Sequence, residues 1–176
     1  MRIENLVFYL GGVVNAHDND MLLGRLQSKC RTGTTIDNLI TEMCVEGYST
    51  GRSNMTSFHK NLQEKFGYHG DWSEFMEDWC CHLSLHEDML NFIEKISLTT
   101  RVIFLSNTNL LHWEYLLRVS DFRLRKFESF LSFDLGLMKP HSDIFIEVAK
   151  QAAIKPEYSL FIDDRKDNVD SALTCG

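Results

Sequence analysis

Two apolar runs, each ending abruptly in glycine or polar residues and separated by about ninety residues of helical pattern, constrain this chain most. Leu6 to Val14 is almost continuously apolar, broken only by Tyr9, Gly11 and Gly12; the next run of that kind is Arg101 to Leu105. Runs without alternation suit parallel strands covered on both faces. The intervening sequence predicts helices over Met21–Lys29, Thr35–Val45, Met55–Lys65, Trp72–Leu83 and Glu87–Ile96, with Gly47, Gly51, Gly67 and Gly70 as punctuation. After Leu105 strand and helix alternate. A helix over Leu110–Arg118 precedes a short strand at Ser129–Phe133. A helix over Asp143–Gln151, with Ser142 as its expected N-cap, precedes the strand Ser159–Ile162, and a last helix starts near Asp167. This order predicts an α/β fold: a doubly wound, Rossmann-like parallel-sheet core with a helical cap inserted after the first strand. The core is expected over residues 1–14 and 98–176 and the cap over 15–97. Ligands of such sheets bind beyond the carboxyl ends of the strands.

The chain's 176 residues suit one such domain with an inserted subdomain. A formal charge of −7 leaves no basic footprint for a phosphate backbone, so no nucleic-acid partner is expected. No apolar run approaches the roughly 18 residues of a membrane span, and no leader pattern opens the sequence, so a cytoplasmic address is the expectation. Cys30, Cys44, Cys80, Cys81 and Cys175 lack the paired spacings of a zinc site or disulfide framework and read as reduced thiols. The cap's Phe58, Phe66, Tyr68, Trp72, Phe75 and Trp79 are spaced for helix packing rather than for a ligand cage.

Polar residues follow the strands directly. Leu105 leads into Ser106-Asn107-Thr108-Asn109, where a hydroxyl and backbone amides at a strand end form either an anion-binding nest or a helix cap. Ile162 leads into Asp163-Asp164, two neighbouring carboxylates whose repulsion a bound cation would relieve; the alternative is a solvated acidic turn capping the last helix. Between them lies Asp134-Leu135-Gly136-Leu137-Met138-Lys139-Pro140.

Taken in order, the segments around Tyr9, Ser106, Lys139 and Asp164, separated by 97, 33 and 25 residues, resemble the four signature motifs of the haloacid dehalogenase (HAD) superfamily. The resemblance covers nearly the whole chain. It implies a Mg²⁺-dependent phosphatase of the small-helical-cap subgroup, acting on a small phosphorylated metabolite such as a sugar phosphate. In that family an aspartate at the end of the first strand attacks phosphorus, and Tyr9 stands in its place. Gly11 falls where a second family group helps place the metal, and its backbone carbonyl suffices for that. By the same resemblance Ser106, Asn107 and Lys139 would bind the phosphoryl group, Lys139 also pairing with the nucleophile. Asp164 would ligate Mg²⁺ directly, Asp163 would support it or pair with the lysine, and Asn168 matches a position in the following turn.

A neutral phenol is a poor nucleophile and a poor ligand for a hard metal, so Tyr9 implies a catalytically impaired protein, a pseudoenzyme whose vestigial site the aromatic ring plugs. Two further readings stand beside it. One is an active phosphomonoesterase using another nucleophile, such as a metal-held water, with Asp18 or Asp20 as substitute carboxylates or, more simply, surface charge. The other is a protein-binding or assembly module. Family members continue past the last helix with an edge strand, whereas this sequence ends at Gly176, so Ser159–Ile162 is expected near an open edge that would support a homodimer. Asn15, His17, Tyr48, Arg52 and Trp113 are the candidates for contacts that select a substrate.

Overall fold

The computed structural model describes residues 2–176, with the side chains of residues 44–46 outside the described set, so Cys44 lies outside the described residues. Four parallel strands form the main sheet: β1 (Asn5–Phe8), β4 (Arg101–Ser106), β5 (Glu128–Leu131) and β6 (Ser159–Ile162), in the order β5-β4-β1-β6. The register sets Leu6 opposite Val102 on one side of β1 and Leu160 on the other. All four residues of β1 are buried, which is why the run carries no polar alternation. Successive side chains still point to opposite faces. Leu6, Phe8, Val102 and Phe104 join one core cluster, while Val7, Ile103 and Leu105 join Phe130, Ile144 and Val148 on the other face. Each such side chain, fully buried, contributes about 1.5–3 kcal/mol.

The strand ends sooner than the apolar run. From Leu10 the chain folds into a turn in which Val14 and Asn15 both donate to the Leu10 carbonyl, at 2.7 and 2.9 Å. Gly12 makes that turn feasible with a φ of 73°, a left-handed conformation that costs glycine little. The backbone N–H of Tyr9 donates to the Ile162 carbonyl at 2.9 Å, tying the first motif segment to the last.

The inserted helices are α1 (Asn19–Ser28), α2 (Ile36–Glu46), α3 (Met55–Phe66) and α4 (Trp72–Cys80). Asp18, Thr35, Asn54 and Asp71 each accept a backbone N–H as side-chain N-caps, and Thr35 and Asp71 complete capping boxes with Asn38 and Glu74. Caps of this kind contribute about 1 kcal/mol each, which helps helices of only three turns to hold. The cap has its own core: Leu26, Leu39, Phe58, Leu62 and Phe75 are fully buried, with Tyr68 and Trp79 nearly so. Phe66 and Trp72 pack against it partly buried, so the aromatic residues fill a core rather than line a cage.

Several boundaries differ from the sequence expectations. α4 stops at Cys80, and Leu83–Leu85 forms β3, antiparallel to β2 (Asn15–His17), so the chain enters and leaves the insertion as a strand pair. α5 (Glu87–Ile96), inside the expected cap range, packs Leu90 and Ile93 into the cluster of Leu6 and Phe104. α6 spans Leu110–Val119. Phe133 leaves the expected strand for a single turn, α7 (Ser132–Leu135), closed by Gly136 at φ 67°. Ser142 is the first residue of α8 (Ser142–Gln151) rather than its cap; His141 holds the cap position without a side-chain bond. The chain ends in α9 (Lys166–Leu173). β6 lies at an edge of the sheet, with Leu160 48% exposed. Cys30, Cys80, Cys81 and Cys175 are free thiols, and no helix among the described residues is long and apolar enough to cross a membrane.

Candidate functional site

The parallel sheet brings the carboxyl ends of β1, β4 and β6 together, so Tyr9, Ser106, Asp163 and Asp164 converge from three strands. Lys139 reaches the same place from the loop before α8, across a cis peptide bond to Pro140. A cleft of about 260 Å³ opens there, with Tyr9, Gly11, Ser106, Asp164 and Arg165 at its sheet end.

Lys139 is the centre of this arrangement, but not as a ligand-facing cation. Its side chain and that of Asp163 are both fully enclosed. The ammonium donates to Asp163 Oδ2 at 2.5 Å and to the Leu105 carbonyl at 3.2 Å. Its remaining face meets the Tyr9 ring, 3.5 Å from the centroid, a close cation–π contact, with the Phe161 ring at 5.2 Å. Burial pulls the Lys139 pKa down to about 8, with Asp163 acting against that fall. Two of the ammonium's three N–H groups thus go to Asp163 and the Leu105 carbonyl, and its remaining face lies against the Tyr9 ring. Asp163 is equally committed, since its Oδ1 also accepts from the Arg165 backbone and from Asn168 Nδ2, both at 2.9 Å.

Asn107 lines the same cleft and is held by the lysine loop. Its amide Nδ2 donates to the Lys139 carbonyl at 2.8 Å and its Oδ1 accepts the Lys139 N–H at 2.9 Å. Both ends of that side chain brace the lysine loop, while the Ser106 hydroxyl lines the cleft and makes no hydrogen bond among the described residues. The Thr108 N–H, part of the expected nest, donates to Ser132 Oγ at 2.9 Å.

Tyr9 is half-buried, and burial together with Asp163 and Asp164 pushes its phenol up to about 12. The ring leans toward Gly11: a Cβ built there would lie 2.7 Å from the Tyr9 hydroxyl oxygen and 2.9 Å from Cζ. A side chain at 11 would displace the Tyr9 ring from this position. Gly12 is needed by the other neighbour, since a Cβ on it would come within 2.3 Å of Asp164 Oδ2. Asp164 is exposed and, among the described residues, neither accepts a hydrogen bond nor forms an ion pair. One free carboxylate suits a hard, largely hydrated cation; among the described residues no three His, Cys, Asp or Glu side chains cluster tightly enough to enclose one.

Toward the cap the cleft is lined by Asn15, His17, Asn19, His82 and His112, and it adjoins a second cavity of about 380 Å³ lined by Tyr48, Arg52, Trp79 and Thr108. Asn15, His17, Tyr48 and Arg52 therefore lie where substrate-selecting groups were expected. Trp113 does not, as it packs against the core cluster under β1. Asp18 caps α1 and Asp20 sits exposed in its first turn, so neither substitutes for the missing carboxylate.

His82 and His112 were not singled out by sequence, and their rings lie 5.0 Å apart. His112 Nε2 lies 3.1 Å from the Trp79 carbonyl, which can only accept, so that nitrogen carries the proton. Nδ1 must then accept from Asn109 Nδ2 at 3.1 Å, while Asn109 Oδ1 takes the His112 and Trp79 N–H groups. The neutral ring is thereby written into the network. Burial and the His82 neighbour pull His112 down to about 3, and burial with His17 pulls His82 down to about 4.

No family model matches the chain. A curated relative, D-ribitol-5-phosphate phosphatase of Bacteroides thetaiotaomicron, is 25% identical over 95% of this chain and 85% of its own length. A HAD family enzyme of the same species, solved as a magnesium complex, superposes with a TM-score of 0.88 at 24% identity, covering 100% of this chain and 91% of that one. A HAD-like family hydrolase of Porphyromonas gingivalis gives 0.81 at 23% identity, covering 100% and 89%. L-2-haloacid dehalogenase of Xanthobacter autotrophicus gives 0.60 at 19%, covering 99% and 75%. With its motif segments gathered at the carboxyl ends of the strands and a helical insertion after the first, the chain has the fold of these haloacid dehalogenase family enzymes and resembles them over nearly its whole length.

Proposed function

We propose that this protein is of the phosphatase type, binding a small phosphorylated metabolite together with Mg²⁺, and that Tyr9 impairs its turnover. The observation that carries the reading is the Tyr9 ring lying 3.5 Å from the Lys139 ammonium at the end of β1. Attack on phosphorus would need the phenolate, and with the phenol pushed up to about 12 almost none exists at neutral pH. Losing a nucleophile in an enzyme of this logic costs on the order of 10⁴ to 10⁶ in turnover.

Asp164 and the Gly11 carbonyl would hold the metal, as hard oxygen donors beside a ligand phosphate. A metal held there would add positive charge beside the enclosed Lys139 ammonium. The relative named D-ribitol-5-phosphate phosphatase and the magnesium complex of the Bacteroides enzyme support the ligand and metal classes. The deciding experiment is hydrolysis of a panel of small phosphomonoesters, with and without Mg²⁺, by the protein and its Tyr9→Asp and Asp164→Ala variants. An inert native protein and an active Tyr9→Asp variant are expected. A native activity that Asp164→Ala abolishes would overturn the reading in favour of a different nucleophile. Assembly through β6 is a second reading, favoured by the half-exposed Leu160 on an open edge.

A further inference from the structure

We infer that Tyr9 is itself a ligand-binding residue: its hydroxyl, projecting over Gly11 into the cleft, donates the hydrogen bond that an oxyanion ligand meets at the cleft floor. The inference rests on the proposal that the cleft takes a phosphorylated ligand, and it assigns Tyr9 a role beyond blocking chemistry.

Three observations carry it. The groups that ought to meet an oxyanion are occupied, with Lys139 bonded to Asp163 and Leu105 and Asn107 bonded twice to the Lys139 backbone. The Tyr9 hydroxyl, by contrast, makes no hydrogen bond among the described residues and lies on the cleft wall. Its ring face is held on the Lys139 ammonium, 3.5 Å from the centroid, and its hydroxyl lies over the open backbone of Gly11. A phenol held in this way is a neutral, preoriented donor, since an ordinary phenol, with a pKa near 10, keeps its proton at neutral pH. A donor pointed at an anion forms a charge-assisted bond, stronger than one between neutral groups. Ser106, which also lines the cleft, is a second hydroxyl for the same ligand.

Tyr9→Phe is the test, since phenylalanine keeps the ring on Lys139 and removes only the hydroxyl. The probe is inorganic phosphate with Mg²⁺, its affinity measured by calorimetry, beside the melting temperature with and without phosphate. The expected result is a loss of affinity of about tenfold or more, as for a hydrogen bond to a charged group. The melting temperature of the free protein should stay unchanged, because the hydroxyl bonds nothing in it. Equal or tighter phosphate binding by Tyr9→Phe overturns this inference and leaves the phosphate-binding proposal standing. Absence of phosphate binding by both the native protein and Tyr9→Asp overturns both.

Discussion

Acidification should unfold this protein by way of the His82–His112 pair before carboxylate protonation dominates. Both rings are held neutral: His82, 7% exposed, is pulled down to about 4 and His112 to about 3, against the usual 6.5. Above pH 6.5 each is neutral whether folded or unfolded, and the full stability is present. Below 6.5 the unfolded chain takes up protons that the folded chain refuses, so stability falls as pH drops toward 4. Each tenfold difference in proton affinity is worth about 1.4 kcal/mol, which puts the His82 contribution on the order of 3 kcal/mol. The two rings perturb each other, so their contributions do not add and the pair together is worth about 3–5 kcal/mol. Against a typical domain stability of about 5–15 kcal/mol, that brings the protein near unfolding at pH 4. Urea titrations followed by tryptophan fluorescence between pH 7.5 and 4.5 would read this directly. His82→Phe, which keeps a ring against His112, should remove about half of the slope. Stability that stays flat over that range, or an undiminished slope in His82→Phe, would refute the reasoning.

Three other outcomes are expected. Gly51, at φ 67°, faces the Phe133 carbonyl so closely that an added Cβ would lie 2.2 Å from it; Gly51→Ala should cost about 2–3 kcal/mol in chemical denaturation, and a change under about 0.5 would contradict the contact. Asp78, 2% exposed, accepts from Tyr68 at 2.7 Å and pairs with Lys29 at 2.9 Å and Arg25 at 3.3 Å, so Asp78→Ala should destabilise by about 3 kcal/mol, visible as a lower urea midpoint. If the β6 edge pairs with a second copy, size-exclusion chromatography will show a dimer that Leu160→Lys dissociates, and a monomer at high concentration would remove that reading.

The architecture was legible because it rests on signals a sequence carries locally. Continuous burial wrote β1 and β4 as unbroken apolar runs, and the helical pattern placed the starts of α2 and α4 within a residue. What escaped depends on contacts distant in sequence. The three-residue strands Asn15–His17 and Leu83–Leu85 are too short to alternate visibly, and only their pairing makes them strands. α5 looks like one more cap helix until Leu90 and Ile93 are seen in the core. In the site, residue type and position located Tyr9, Lys139, Asn107 and the Asp163–Asp164 pair, but not which group each would face. The orientation of Asn107 follows from the lysine loop lying 32 residues away, and the enclosure of Lys139 follows from the bulk of Tyr9. His82 and His112 carried no periodic signal, and their shared surroundings arise only when α4 packs on α6.

The β2–β3 pair gives the insertion a property that neither its helices nor its buried aromatic residues would confer. Its two crossings run side by side, from Asn15–His17 outward and from Leu83–Leu85 back, hydrogen-bonded to each other. Everything between them therefore starts and finishes at nearly one point on the core, as an excursion whose ends are already closed. Loop-closure entropy then depends little on the length of the excursion, and the sheet beneath does not register how many helices it contains. Such a junction can receive a larger, smaller or different insert, so what hangs over the cleft can change while Tyr9, Lys139 and Asp164 keep their places.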